Sequence, residues 1–239
     1  IVALRAGNLD RVQSYGEKSG LPAGQVLAAE VYLADAEAGD AIPLLEKASS
    51  APGTVGQTAK RYLEMLQDDD GTEAPLAEAT ALWAVGDRGV ACESADEIVR
   101  NLPEDFEGRD AQLLLWAGRA VTSGKPAVAE GLLDEIVAPP EGQAWRVQAT
   151  RAMVRVANED YEGAVGIFGA LADAGAPADG LVDALSTAAA LAKDKAQARN
   201  LAGGLESNAA ARGLLEAGAA VAAKNQAPEG IFKMYLEAQ

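Results

Sequence analysis

Three short stretches of this chain place reactive side chains close together. Asp68-Asp69-Asp70-Gly71 sets three carboxylates in a row before a glycine, Cys92 is the single thiol, and Glu104-Asp105 form a carboxylate pair beside Pro103. A calcium loop needs oxygen ligands at its first and last positions around a glycine at the sharp turn. With Gly71 at that turn, Leu66 would take the first ligand position and Ala77 the last. Neither offers an oxygen, so the run reads as a solvated acidic turn. Cys92 follows Ala91 on an inward-leaning helical segment and reads as a small buried filler. Glu104 and Asp105 read as surface carboxylates. The chain has no histidine, which removes the commonest general base, Ser–His and Cys–His nucleophiles and the usual zinc sites. Spacings for a serine–lysine pair, a nucleophile elbow or a phosphate-binding loop are missing as well. The sequence therefore predicts a protein that is not an enzyme and holds no metal or cofactor.

Composition says what positions these groups. The chain has 239 residues, of which 49% are hydrophobic and 5% aromatic, and much of the apolar fraction is alanine. Alanine and leucine with few β-branched runs favour helix, because they lose little side-chain freedom there. No apolar run is long enough to span a membrane. The net charge of −16 argues against nucleic acid, since phosphate binding needs a basic surface. A first residue of Ile1 rather than Met points to a processed precursor or a trimmed chain.

Helical segments recur at a fixed spacing. Small residues open a second helix at Ala41, Ala91, Ala129, Ala164, Ala198 and Gly230, spaced 50, 38, 35, 34 and 32 residues apart. Twelve residues before each stand Ala29, Ala79, Ala117, Ala152, Ser186 and Gly218, small enough to let two helices approach closely. Four residues after come Leu45, Ala95, Leu133, Phe168, Ala202 and Met234. Seven after come Ala48, Ile98, Ile136, Leu171 and Leu205, which completes one apolar helical face. Gly39-Asp40, Gly86-Asp87, Gly124-Lys125 and Asn158-Glu159-Asp160 mark tight turns inside the pairs. Pro52, Pro103, Pro140 and Pro177 end the pairs. Residues 4–12 read as the end of a further first helix, and 55–66 as an added helix within the longest gap. The acidic loop from Asp68 to Pro75 sets the expected boundary between an N-terminal portion, 1–67, and a main array, 75–239.

This pattern resembles the tetratricopeptide repeat family over nearly the whole chain, in about six degenerate copies. It is clearest in residues 145–171, where Ala152, Ala164, Phe168 and Leu171 match and Tyr161 enters the second helix. The family's aromatic nine residues before the anchor is matched by Tyr32 alone; Leu82, Ala120, Ala189 and Val221 stand in its place, and Arg155 breaks the pattern. The resemblance implies an all-α fold, a right-handed superhelix (solenoid) of antiparallel helix pairs whose first helices line an inner face. It also implies ligand-facing positions about 15, 11 and 8 residues before each anchor. Val26, Leu33, Leu76, Trp83, Leu114, Val121, Met153 and Val156 fall in those slots, with Arg146 and Arg212 as the nearest cations. Glu30 and Asp183 are the only acids there.

An apolar inner face implies an apolar occupant, either a segment of a partner protein or a lipid-like molecule. The carrier version suits a secreted or periplasmic bacterial protein. Alternatively, the same side chains pack against one another and leave no groove, because a large apolar surface on a soluble monomer must be covered by something. Trp116, Trp145 and Phe106 read as packing residues.

Overall fold

A computed structural model describes residues 8–68, 71–224 and 230–238, and these residues form fourteen helices and no strand. The chain is all-α. Asp69 and Asp70 of the acidic run, and Leu4 to Gly7 of the first fragment, lie outside the described residues.

Two compact units divide the chain, Ile1–Phe106 and Glu107–Gln239. The first holds α1 (Leu9–Ser19), α2 (Pro22–Ala34), α3 (Ala38–Ser49), α4 (Thr54–Leu66), α5 (Ala74–Val85) and α6 (Arg88–Arg100). The second holds α7 (Arg109–Thr122), α8 (Pro126–Asp134), α9 (Ala144–Ala157), α10 (Tyr161–Asp173), α11 (Ala178–Leu191), α12 (Lys195–Ser207), α13 (Ala209–Lys224) and α14 (Gly230–Ala238). Residues 68–75, where the sequence places a boundary, lie inside the first unit. There α5 packs back on both α2 and α4, so the contacts continue across the acidic loop.

Consecutive helices pair as hairpins: α2 with α3, α5 with α6, α7 with α8 and α9 with α10. The first helices of neighbouring hairpins also pack on each other, α2 on α5 in the first unit and α7 on α9 on α11 in the second. The repeat anchors explain how this is possible. Ala41, Ala91, Ala129, Ala164 and Ala198 are each the fourth residue of their helix, and all are buried. On the paired first helices Ala29, Ala79, Ala117 and Ala152 are buried as well. A methyl group on both sides lets the backbones approach, and larger neighbours such as Leu33, Leu45, Leu133 and Phe168 fill the remaining space. Each such large side chain, fully buried, contributes about 1.5–3 kcal/mol.

The hairpin turn itself repeats in atomic detail. Residues 36, 86, 124 and 159 each adopt left-handed backbone, with φ of 60°, 105°, 76° and 66°. The next residue then returns its N–H to the carbonyl five residues earlier. These bonds run Glu37 to Tyr32 (2.8 Å), Asp87 to Leu82 (3.0 Å), Lys125 to Ala120 (2.9 Å) and Asp160 to Arg155 (2.8 Å). This is the Schellman closure, which satisfies carbonyls that a helix end leaves open. The acceptor is the residue nine before each anchor, a position where the backbone carbonyl makes the contact whatever the side chain. That is why Tyr32, Leu82, Ala120 and Arg155 all serve.

Several boundaries differ from the sequence reading. Gly39 and Asp40 lie in the first turn of α3, and the turn before it is Asp35-Ala36-Glu37. Leu9 to Val12 begin a helix instead of ending one, because Asn8 accepts the N–H of Arg11 at 3.1 Å and caps it. Val12 is the fourth residue of that helix and is buried, as an anchor should be. Gly230 is exposed at the first position of α14, so the last copy is out of register. In α11 the buried stripe is Leu181, Leu185 and Ala188, which leaves Ser186 exposed. The added helix is found as α4, and Cys92 is buried in α6.

Candidate functional site

The apolar inner-slot residues do not form an open surface. Val26 and Leu33 on α2, Leu76 on α5, Leu114 and Val121 on α7, and Met153 and Val156 on α9 are each between 0 and 9% exposed. The first helices contact one another as well as their hairpin partners, so these slots fall in the seams between helices. Val26 and Leu33 lie on α2 and Leu76 and Trp83 on α5, two helices that pack on each other. Leu114 and Val121 likewise lie on α7 and Met153 and Val156 on α9, which also pack on each other.

The three predicted residues with polar or aromatic tips behave differently. Trp83 is half-buried at the end of α5, with the Arg88 guanidinium 5.1 Å from its ring centroid. Arg146 is exposed in the first turn of α9, and its guanidinium stands 5.4 Å from the ring of its neighbour Trp145. Such cation–π contacts favour a held guanidinium over a freely swinging one. Arg212 is exposed in the first turn of α13, where its Nε donates to the Glu206 carbonyl at 2.8 Å. Its Nη groups make no hydrogen bond among the described residues.

Arg212 also lines a concavity. An open cleft of about 290 Å³ is bounded by Glu206, Arg212, Glu216 and Tyr235. Glu206 comes from the end of α12, Arg212 and Glu216 lie one turn apart on α13, and Tyr235 projects from α14. These three helices pack on one another within the second unit. Among the described residues the lining offers one guanidinium, two carboxylates and a phenol, so it can pair with a positive and a negative group at once. Repeat counting singled out Arg212, but Glu206, Glu216 and Tyr235 stand at positions that the repeat pattern does not describe.

A second polar feature lies in the first unit, and the sequence marked only half of it. Glu30, in the middle of α2, is 8% exposed, and the Tyr62 phenol on α4 donates to its Oε1 at 3.3 Å. Removal from water pushes the Glu30 carboxyl up to about 7, with the hydrogen bond from Tyr62 acting in the opposite direction. Tyr62 had a legible signal. Gly56, Ala59, Tyr62 and Met65 form a three-residue stripe along α4, and all four are buried. Asp183, the other acid of the inner slots, is exposed.

No group of three or more acidic, cysteine or histidine side chains among the described residues is arranged to hold a metal ion, and no described helix is long and apolar enough to cross a membrane. Comparison with protein-family models, with curated proteins and with solved structures finds no match.

Proposed function

We propose that this chain is a non-enzymatic binding protein, with each unit a stretch of right-handed superhelix of antiparallel helix pairs, similar to tetratricopeptide repeats. In this reading it holds a segment of a partner protein. The recurrent Schellman turn and the stacking of first helices support the architecture. The observation that carries the function is the cleft at Arg212, where four polar side chains from three helices converge on one concavity. With the apolar slots covered by the chain's own helices, recognition falls to such polar surfaces. An acidic surface draws basic partners by long-range attraction, and the cleft then fixes a segment that carries a cationic and an acidic side chain close together.

Selection from a displayed library of short random peptides tests this. Peptides are expected to enrich with paired opposite charges, and Arg212→Glu is expected to abolish their binding while the helical circular dichroism is unchanged. Peptides that bind the Arg212→Glu chain equally well would overturn the assignment. So would a lipophilic mass retained by the native protein in mass spectrometry, which would instead identify a lipid carrier.

A further inference from the structure

A carboxyl group buried at a helix contact has two routes to stability: a cation beside it, or a proton. Among the described residues Glu30 has no cation beside it, and its hydrogen-bond partner is Tyr62. The charged groups on every helix packed against α2 point elsewhere. Asp10, Arg11, Glu17 and Lys18 on α1 are exposed, and Glu17 accepts from Tyr32. Asp40, Glu46 and Lys47 on α3 are exposed, as are Lys60, Arg61 and Glu64 on α4. Glu78 on α5 is half-buried and makes no bond to Glu30. The neighbours of Glu30 along its own helix face are Val26, Leu27, Leu33 and Ala34, all apolar.

We propose that the Glu30 carboxyl, buried in the contact between α2 and α4, is a proton-dependent latch, closed while it is neutral and loosened when it ionises because the one hydrogen bond from Tyr62 does not replace its lost hydration. The movement is assigned to α4, which packs mainly on α3 and meets α2 in a smaller contact. It is the helix inserted within the longest repeat gap, outside the regular pairs. Residues 50–53 connect it to α3, and residues 67–73 connect it to α5. A neutral carboxyl both donates and accepts, so it can satisfy the phenol in either direction. A carboxylate can only accept, and it draws water, which reaches this site by separating α4 from α2. The titration falls near neutrality, because burial has moved the group there from its ordinary 4.5. A modest change of pH would therefore shift the latch.

The test uses the whole chain with Glu30 carboxyl carbon shifts followed by NMR. Glu30 is expected to titrate with a midpoint near 7. Amide protection in residues 54–66, corrected for the intrinsic pH dependence of exchange, is expected to fall on the order of tenfold from pH ~5.5 to ~8. In Glu30→Gln, a neutral isostere, protection should stay level over that range. Tyr62→Phe removes the bond that favours the ionised form, so the midpoint should rise. A wild-type midpoint at the ordinary 4.5 would overturn the latch, as would the same pH dependence of protection in Glu30→Gln.

Discussion

Trp145, at the start of α9, lies across Gly180 in the first turn of α11. A Cβ on residue 180 would run into Cη2 of the indole, with Cζ2 2.9 Å away. The ring thus occupies space that exists only because residue 180 has no side chain. Gly180→Ala is expected to lower stability by ~1–3 kcal/mol through overpacking. Gly166, on α10, has nothing within 4 Å of its absent Cβ. There the same change should raise stability by ~0.5–1 kcal/mol through helix propensity. Urea midpoints for the two variants should move in opposite directions, and movement in the same direction would show that Trp145 does not pack here.

The repeated turn makes a second prediction, because its four copies use different residues for one geometry. Ala36 holds left-handed backbone at φ 60°, where a Cβ is strained and glycine is not. Ala36→Gly should therefore stabilise by ~1 kcal/mol, against the usual cost of glycine. The following residue, Glu37, makes no side-chain cap, whereas Asp160 accepts the Gly163 N–H at 2.9 Å. Glu37→Asp should add ~0.5–1 kcal/mol, and Asp160→Ala should remove about as much. Thermal midpoints of the three variants check the set.

The fold was readable in this sequence to the extent that packing left a periodic mark. Ala41, Ala91, Ala129, Ala164 and Ala198 announced their helices because a close crossing admits only small residues, and a size constraint shows in sequence. Exposure was not readable. Val26, Leu76 and Leu114 are apolar whether they face a ligand or a neighbouring helix, and the seam between first helices decides which. Tyr62 is not marked by the repeat, because its helix, α4, stands outside it. Likewise the cleft at Arg212 draws Glu206 and Tyr235 from positions where the repeat sets no residue type. Gly230 misled because smallness at a helix start marks a turn as readily as a packing anchor.

Burial of Glu30 also fixes the sign of a stability change with pH. Its carboxyl titrates near 7 in the folded chain and near 4.5 when unfolded, so the folded state holds the proton more tightly. The contribution is fully present below the unfolded value. It is lost progressively as pH rises to about 7, and above that it stays lost. The total is ~3 kcal/mol. Glu30→Gln should match the wild type near pH 4.5 and exceed it by about that amount at alkaline pH. Chemical denaturation of both proteins across this range isolates the Glu30 contribution from that of the other carboxylates. A difference that does not change with pH would contradict it.

Tyr161 supplies the last prediction, because its ring and its hydroxyl act in opposite senses. It is the first residue of α10, with its hydroxyl oxygen buried and without a hydrogen-bond partner among the described residues. Burial, with Glu159 and Asp194 close by, pushes the phenol above its ordinary range, and Lys193 pulls it back. Lys193 itself is engaged by Glu159, to which it donates, so it does not serve the phenol. A buried donor left unmade costs ~1–3 kcal/mol, whereas the ring contributes by burial alone. Tyr161→Phe keeps the ring and removes the unsatisfied group, so stability should hold or rise by ~1 kcal/mol. Tyr161→Ala should lose ~1–2 kcal/mol, since the half-buried ring gives up its packing. Urea denaturation separates the two. A clear loss in Tyr161→Phe would mean that the hydroxyl has a partner, and the entry of α10 would then be held by a hydrogen bond as well as by the Asp160 cap.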